Sequence, residues 1–258
     1  MGILNITPDS FFRGSRYNTD EEIITAAGRM LEEGAAFLDV GGYSSRPGAA
    51  EITGEEERKR VIRAINIINR NFPDAVISVD TFRSAIALEA VLDAGARMIN
   101  DISGGEADSN MFSIVERVNV PYTMMHMKGD PATMQNNPVY DDIVADILKY
   151  FSEKILRLRS AGVKDIIIDP GFGFAKTIEH NFELMRRLED LRITGLPLMV
   201  GISRKSMIWK TLNITPDEAL NGTTAMHAVA LCKGADILRV HDIKEAVQAV
   251  RLVARLKK

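Results

Sequence analysis

Along the chain, a short apolar run and a longer amphipathic one alternate eight times. The apolar runs fall at residues 2–4, 36–40, 76–80, 97–101, 122–127, 165–169, 198–202 and 237–240. None has the polar alternation of a half-exposed strand, so each predicts a parallel strand buried on both faces. The intervening segments 20–33, 55–70, 84–94, 109–117, 141–160, 179–190, 217–233 and 243–256 carry apolar residues at helical spacing. Glu33-Gly34, Ala94-Gly95, Ala161-Gly162 and Lys233-Gly234 supply helix stops, since glycine takes the left-handed turn after a last helical residue. Eight strand-then-helix units in 258 residues predict an α/β chain folded as one (β/α)8 TIM barrel over residues 1–258. A doubly wound sheet is the rival, but it rarely needs eight evenly spaced parallel strands. The barrel also predicts where chemistry sits, at the carboxyl ends of the strands.

Those ends are polar: Asn5, Asp39, Asp80, Asn100 with Asp101, His126, Asp169, Ser203 with Arg204 and Lys205, and Arg239 with His241. Strand-end Asp and Asn often cap the next helix or turn. Asp39 before Gly41-Gly42 and Asp101 before Ser103-Gly104 fit that role. Eight polar ends on one rim still predict a site that they all face. Asp80, Asn100 and Asp169 offer two carboxylates and an amide that both donates and accepts. That set suits the edge of a planar heterocycle with alternating N–H and C=O groups. A divalent-metal site competes with this reading, although metal cages rarely combine an amide with two carboxylates set so far apart. Arg46 in GGYSSRPG, Lys205 in GISRKSM, and Arg239 and His241 in LRVHD form a cationic side suited to phosphate or carboxylate. One of the neighbours Arg204 and Lys205 is expected to be a solvated charge.

The stretch DPGFGFAK resembles a phosphate-binding glycine loop but lacks the GK[ST] ending and the GxGxxG spacing, which makes it weak as a nucleotide motif. Its Phe172 and Phe174 are expected as flat walls for an aromatic substrate, with plugging of the barrel mouth the alternative for one of them. His180 and His227 fall in helices and predict surface or packing roles, Trp209 a core or interface role.

Composition narrows the partners. With 46% hydrophobic and 26% charged residues the chain predicts a globular fold with a sizeable core. A net charge of -3 and a pI near 5.9 argue against nucleic acid or a membrane surface as partner. No run of 18 apolar residues occurs, and Met1 leads straight into a strand, which predicts no signal peptide. The single Cys232 allows no internal disulfide and is expected as a buried small hydrophobe, in a reducing, cytoplasmic setting. The residues alone therefore reach a barrel enzyme that binds a planar polar heterocycle beside an anionic, phosphorylated group.

The words MGILNITPDSF, DVGGYSSRPGA, SVDT, INDISG, MMHMKGDPATMQ, IIDPGFGFAKT, GISRKS and LRVHD run in order from Met1 to the last strand. Together they resemble the dihydropteroate synthase family over essentially the whole chain. The resemblance implies a folate-pathway transferase that joins 6-hydroxymethyl-7,8-dihydropterin diphosphate to p-aminobenzoate and releases pyrophosphate. A dissociative (SN1-like) path, a Mg²⁺ cofactor, a homodimer and a sulfonamide target are implied with it. The pterin would be held by Asp80, Asn100, Asp169 and Lys205, with Met125 and Arg239 against the ring. The diphosphate would be gripped by Asn5, Arg46, Arg239 and His241, with Asn5 as the metal ligand. The p-aminobenzoate would lie against Phe174, Ser45 and Pro47, its carboxylate near Ser206. The catalytic set would be Asp80, Lys205, Arg239 and His241, under two closing loops at 7–17 and 44–50.

The chain departs from the family pattern in the first loop, where SFSDGG is usual and Arg13 and Ser15 replace the acid and the second glycine. Ser45 stands where threonine is usual. The family also carries residues upstream of the first strand, so Met1 is expected to be a truncated or misassigned start. Corrinoid methyltransferases that use methyltetrahydrofolate are the nearest rival and need no diphosphate grip. A non-catalytic pterin-binding paralogue is the other alternative.

Overall fold

The computed structural model describes residues 1–6, 19–43, 52–129 and 138–256. The two loops at 7–17 and 44–50, with Arg13, Ser15, Ser45, Arg46 and Pro47, lie outside the described residues. The strands are β1 (Gly2–Asn5), β2 (Leu38–Gly41), β3 (Ile77–Asp80), β4 (Met98–Asp101), β5 (Tyr122–Met125), β6 (Ile166–Asp169), β7 (Met199–Val200) and β8 (Ile237–Leu238). β1 to β6 pair in sequence order, every pair parallel, and β7 pairs with β8. Single bridges Ile168↔Leu198 and Gly2↔Val240 complete the ring. Across the last seam Ile3 N donates to Val240 O at 3.0 Å and Val240 N to Met1 O at 2.9 Å. Among the described residues the closed (β/α)8 barrel leaves no free strand edge to present to another chain.

Alternation then sorts the strand residues. Leu4, Val40, Val79, Ile99, Met124 and Ile168 face outward into the main core beneath the helices. Met1, Met98, Ile167 and Met199 form a separate apolar cluster at the amino ends of the strands, with Phe37 and Ile237 packed against it. That plug closes the barrel opposite the polar rim. Each fully buried Leu, Ile or Met contributes about 1.5–3 kcal/mol from area removed from water.

The helices are α1 (Asp20–Glu32), α2 (Gly54–Asn71), α3 (Ser84–Leu92), α4 (Met111–Val118), α5 (Ile143–Ser160), α6 (Ile178–Arg186), α7 (Ser206–Trp209), α8 (Leu220–Cys232) and α9 (Ile243–Leu256). Thr19 and Glu22 form a capping box at α1, and Asp142 accepts from two amides at the start of α5. Thr177 caps α6 with His180 bonding back, which gives His180 a capping role. The four glycine stops all have left-handed φ.

Three expectations change. The helix expected over 179–190 divides into α6 and a 3₁₀ segment, Leu188–Thr194. The helix expected from residue 217 begins at Leu220, because Thr215 to Glu218 is spent on a turn in which Thr215 N and Oγ1 donate to Glu218. Cys232 is exposed, not buried. The buried stripe of α8 runs Thr223, His227, Ala230 and Leu231, and the next residue turns out to solvent. His227 is a buried packing residue and Trp209 is half-buried against the core, as expected.

Glu57 of α2 is fully buried and anchors the carboxyl end of β3. Thr81 Oγ1 donates to its Oε1 at 2.6 Å, and Arg83 pairs with its Oε2. Removing one partner of a buried pair strands the other charge. Arg83→Met should therefore cost about 3 kcal/mol in urea unfolding. A loss below about 1 kcal/mol would mean that Glu57 is satisfied without it.

Candidate active site

Strand register builds the site. Asn5 pairs with Gly41, Gly41 with Asp80, and Asp80 with Asn100. Residues in register share a face, so Asn5, Asp80 and Asn100 all point into the barrel. Gly41 leaves the room between them: a Cβ there would stand 3.4 Å from Asp80 Oδ2 and 3.5 Å from Asn5 Oδ1. Asp39, two residues before Gly41, points the same way one layer deeper.

Arg239, beside β8, reaches across this layer. Its Nε donates to Asp39 Oδ2 at 2.6 Å and its Nη2 to Asp80 Oδ2 at 2.5 Å. Asn100 Nδ2 donates to the same Asp39 oxygen at 2.9 Å. Asp39 is therefore no turn cap, contrary to the expectation from Gly41-Gly42; it is the buried acceptor that orients both Asn100 and Arg239. Its Oδ1 has no partner among the described residues.

On the opposite side, Asp169 ends β6 and Oδ1 accepts from Gly171 N at 2.8 Å. Lys205 Nζ donates to Phe172 O and stands 4.6 Å from the centroid of the Phe174 ring. Phe174 is half-buried beside Met125, Ile102 and Met127, an apolar wall at the mouth. Phe172 is fully buried in the main core, so of the two phenylalanines only Phe174 is a wall. Ser206 opens α7, a helix of a single turn. His241 Nδ1 lies 3.0 Å from Ser203 Oγ, which fixes the ring.

Not every polar strand end faces the axis. Asp101 is fully engaged outside the barrel, where its two oxygens accept from Ser103 N and Oγ, Gly105 N and Tyr122 OH. His126 is buried between the barrel and α5, its ring 4.8 Å from that of Tyr150. Arg204 is no solvated charge, because it makes a two-pronged pair with Asp242 at 2.9 Å and its side chain is 8% exposed. The site therefore draws on Asn5, Asp39, Asp80, Asn100, Met125, Asp169, Phe174, Lys205, Arg239 and His241.

The same residues lie in a chain that matches the model of the pterin binding enzyme family over residues 1–241. The chain belongs to that family. It is 44% identical over 255 residues to the dihydropteroate synthase of Escherichia coli strain K12, covering 98% of this chain and 89% of that one. A Yersinia pestis dihydropteroate synthase, solved in a sulfonamide drug complex, superposes with a TM-score of 0.95 at 41% identity over 99% of this chain and 93% of that chain. A Xanthomonas albilineans dihydropteroate synthase, solved with 4-aminobenzoic acid, gives 0.88 at 37% identity over 99% and 92%. Like these pterin binding enzymes, the chain is a transferase with the dihydropteroate synthase fold.

Burial sets the electrostatics of this family member. It pushes the Asp169 carboxyl up, against the pull of Lys205 and the Gly171 amide. It pushes Asp80 up as well, with Arg239 working in the opposite direction. Burial opposes the charge of Arg239, but Asp39 and Asp80 more than restore it. His241 is lowered to about 3 by burial and then by Arg239, so it serves as a neutral N–H donor, not a cation.

Lys205 is lowered to about 8, first by burial, with Asp169 opposing and Arg239 assisting. Folded and unfolded chains are both protonated at Lys205 below pH 8, so its burial penalty is fully present there. Between pH 8 and the ordinary lysine value of 10.5 only the unfolded chain keeps the proton, and stability gains as the pH rises. Relative to Lys205→Met, the wild type should gain about 3 kcal/mol in unfolding free energy across that window. Equal pH slopes for the two proteins in urea titrations would contradict the burial of this ammonium.

Proposed function

We propose that this chain condenses 6-hydroxymethyl-7,8-dihydropterin diphosphate with p-aminobenzoate, giving 7,8-dihydropteroate and pyrophosphate. The observation that carries the reading is the convergence of Asp80, Asn100, Asp169, Lys205 and Arg239 inside one barrel mouth, beside the Met125 and Phe174 wall. Asp169 accepts from the pterin's N–H edge, Asn100 donates and accepts along it, and Lys205 donates to its ring acceptors. Met125 closes on the ring face. The p-aminobenzoate ring lies on Phe174, with Ser206 near its carboxylate; Ser45 and Pro47 belong to the same subsite. The relative solved with 4-aminobenzoic acid supports that second substrate.

Residues here divide between the two halves of the breaking bond. Arg239, His241 and Arg46 donate to the diphosphate as it leaves, and Asp80 faces the pterin side, where positive charge develops. No residue of the described site is placed as a strong base, which suits a weakly basic aniline that needs positioning more than deprotonation. The mechanism is dissociative, with C–O cleavage ahead of C–N bond formation.

Asn5 fits a metal that arrives with the substrate. Its Oδ1 and Asp80 Oδ2 flank the open space over Gly41, where a Cβ would reach van der Waals contact with both. Among the described residues no group of three or more His, Cys, Asp or Glu could hold an ion. Mg²⁺ needs few protein ligands when phosphate oxygens complete its shell, and when bound it would neutralise charge on the diphosphate. The reading places the chain in the cytoplasm as a homodimer, supported by Val229, Val250, Leu252 and Leu256, exposed on the adjacent helices α8 and α9. No helix among the described residues is long and apolar enough to cross a membrane.

A coupled assay of pyrophosphate release tests the reaction. Release should need the pterin diphosphate and be fastest with both substrates; no release with both present would refute the assignment. With p-aminobenzoate omitted, rapid quench should still detect partial release, and Asp80→Ala should suppress it. Release strictly dependent on the amine would rule out the dissociative order. Asp169→Asn puts a donor where the pterin needs an acceptor and should weaken free-pterin binding about ten- to a hundredfold in calorimetric titration. Undiminished affinity would remove Asp169 from the pterin subsite.

A further inference from the structure

Behind the 171–174 turn lies a second lysine that none of the roles above uses. Lys176 is 3% exposed, and its ammonium has three donors and three partners. His126 Nδ1, Gly171 O and Phe174 O each lie 3.0 Å from Nζ. All three partners are neutral, since burial and then Lys176 itself drive His126 to about 2. A buried ammonium held by neutral acceptors alone is a poor source of stability. Its geometry has a use elsewhere.

The turn it gathers is unusual. Gly171, Gly173 and Ala175 all have left-handed φ, of 70, 78 and 48°. At Gly171 a Cβ would overlap the His126 carbonyl, so β5 and the turn are in backbone contact. For Ala175 the conformation costs about 1–2 kcal/mol and must be imposed from outside. The carbonyls diverge in consequence: Gly171 O and Phe174 O point back to Lys176, while Phe172 O points inward to Lys205. Gly173 leaves room for the Lys205 stem, which a Cβ would approach to 3.0 Å.

We propose that Lys176 is a positioning residue of the pterin site: by drawing two carbonyls and His126 together, it turns Phe172 O toward Lys205 and stands Phe174 against it. The proposal rests on the pterin reading above. Lys176 acts on ligand through Lys205, not by contact. Burial lowers Lys176 to about 7; Asp169 favours the ammonium and Lys205 opposes it, so the two site residues sense its charge as well.

The test is a double-mutant cycle read by calorimetric titration with 6-hydroxymethylpterin. Lys176→Met should weaken binding by at least about tenfold in the wild-type background and by less than about threefold in Lys205→Met. Factors that multiply independently, or full affinity in a folded Lys176→Met protein, would overturn the proposal. Should Lys176→Met not fold, Lys176→Gln, which keeps two donors for the two carbonyls, passes through the same cycle with a smaller expected loss. A ligand-free readout separates this claim from the pterin reading. The nitrogen-15 resonance and titration midpoint of the Lys205 amine should both shift when Lys176 is replaced. If wild-type protein bound no pterin, the pterin reading would fail, and an unmoved Lys205 signal would independently sink the positioning role.

Discussion

The barrel mouth depends on one guanidinium. Arg239, just past β8, spans to Asp39 on β2 and Asp80 on β3, at 2.6 and 2.5 Å. Without it, two carboxylates would share a buried layer with no cation between them, an arrangement that desolvation makes costly. With it, Asp39 can accept from Asn100 and Asp80 can face the ligand. The same contact ties the last strand to the second and third across the interior. Catalytic polarity and the alignment of the barrel are thus one network.

The surrounding sequence serves that network by subtraction as much as by addition. Gly41 and Gly201 leave open space among Asn5, Asp80, Asp169 and Arg239; a Cβ on Gly201 would fill it, in van der Waals contact at 3.8 Å with both Arg239 Cβ and Asp169 Oδ2. Charges removed from water cost stability unless closely paired, so the rim is expensive, and the apolar layer of Met1, Met98, Ile167 and Met199 beneath it offsets part of that cost. Catalytic sites characteristically carry such unfavourable terms.

Eight apolar runs without alternation were enough to predict the barrel, because burial on both faces leaves a parallel strand no polar face. Asn5, Asp80, Asn100 and Asp169 were legible for the same reason: each ends such a run. Asp39 looks like a turn cap in the sequence, although it stands two residues before Gly41 and so shares the inward face of Asn5 and Asp80. Counting parity along β2 would have found it. Lys176 ends the DPGFGFAK stretch, but its role is not legible there, since it depends on carbonyl directions around three left-handed residues. His126, Asp101 and Arg204 looked like rim residues, but strand parity turns the first two outward, and Asp242 holds the third. Side-chain direction, not residue type, was the missing information.

The central claim is that Arg239 is held between Asp39 and Asp80 as a charge-compensating bridge. Its most direct measurement is the unfolding free energy of Arg239→Met with and without Asp39→Asn. Arg239→Met alone should cost about 3–5 kcal/mol, because it strands buried carboxylates. Adding Asp39→Asn should recover much of that loss, since an amide needs no counter-charge. Losses that simply add, with no recovery in the double variant, would contradict the account.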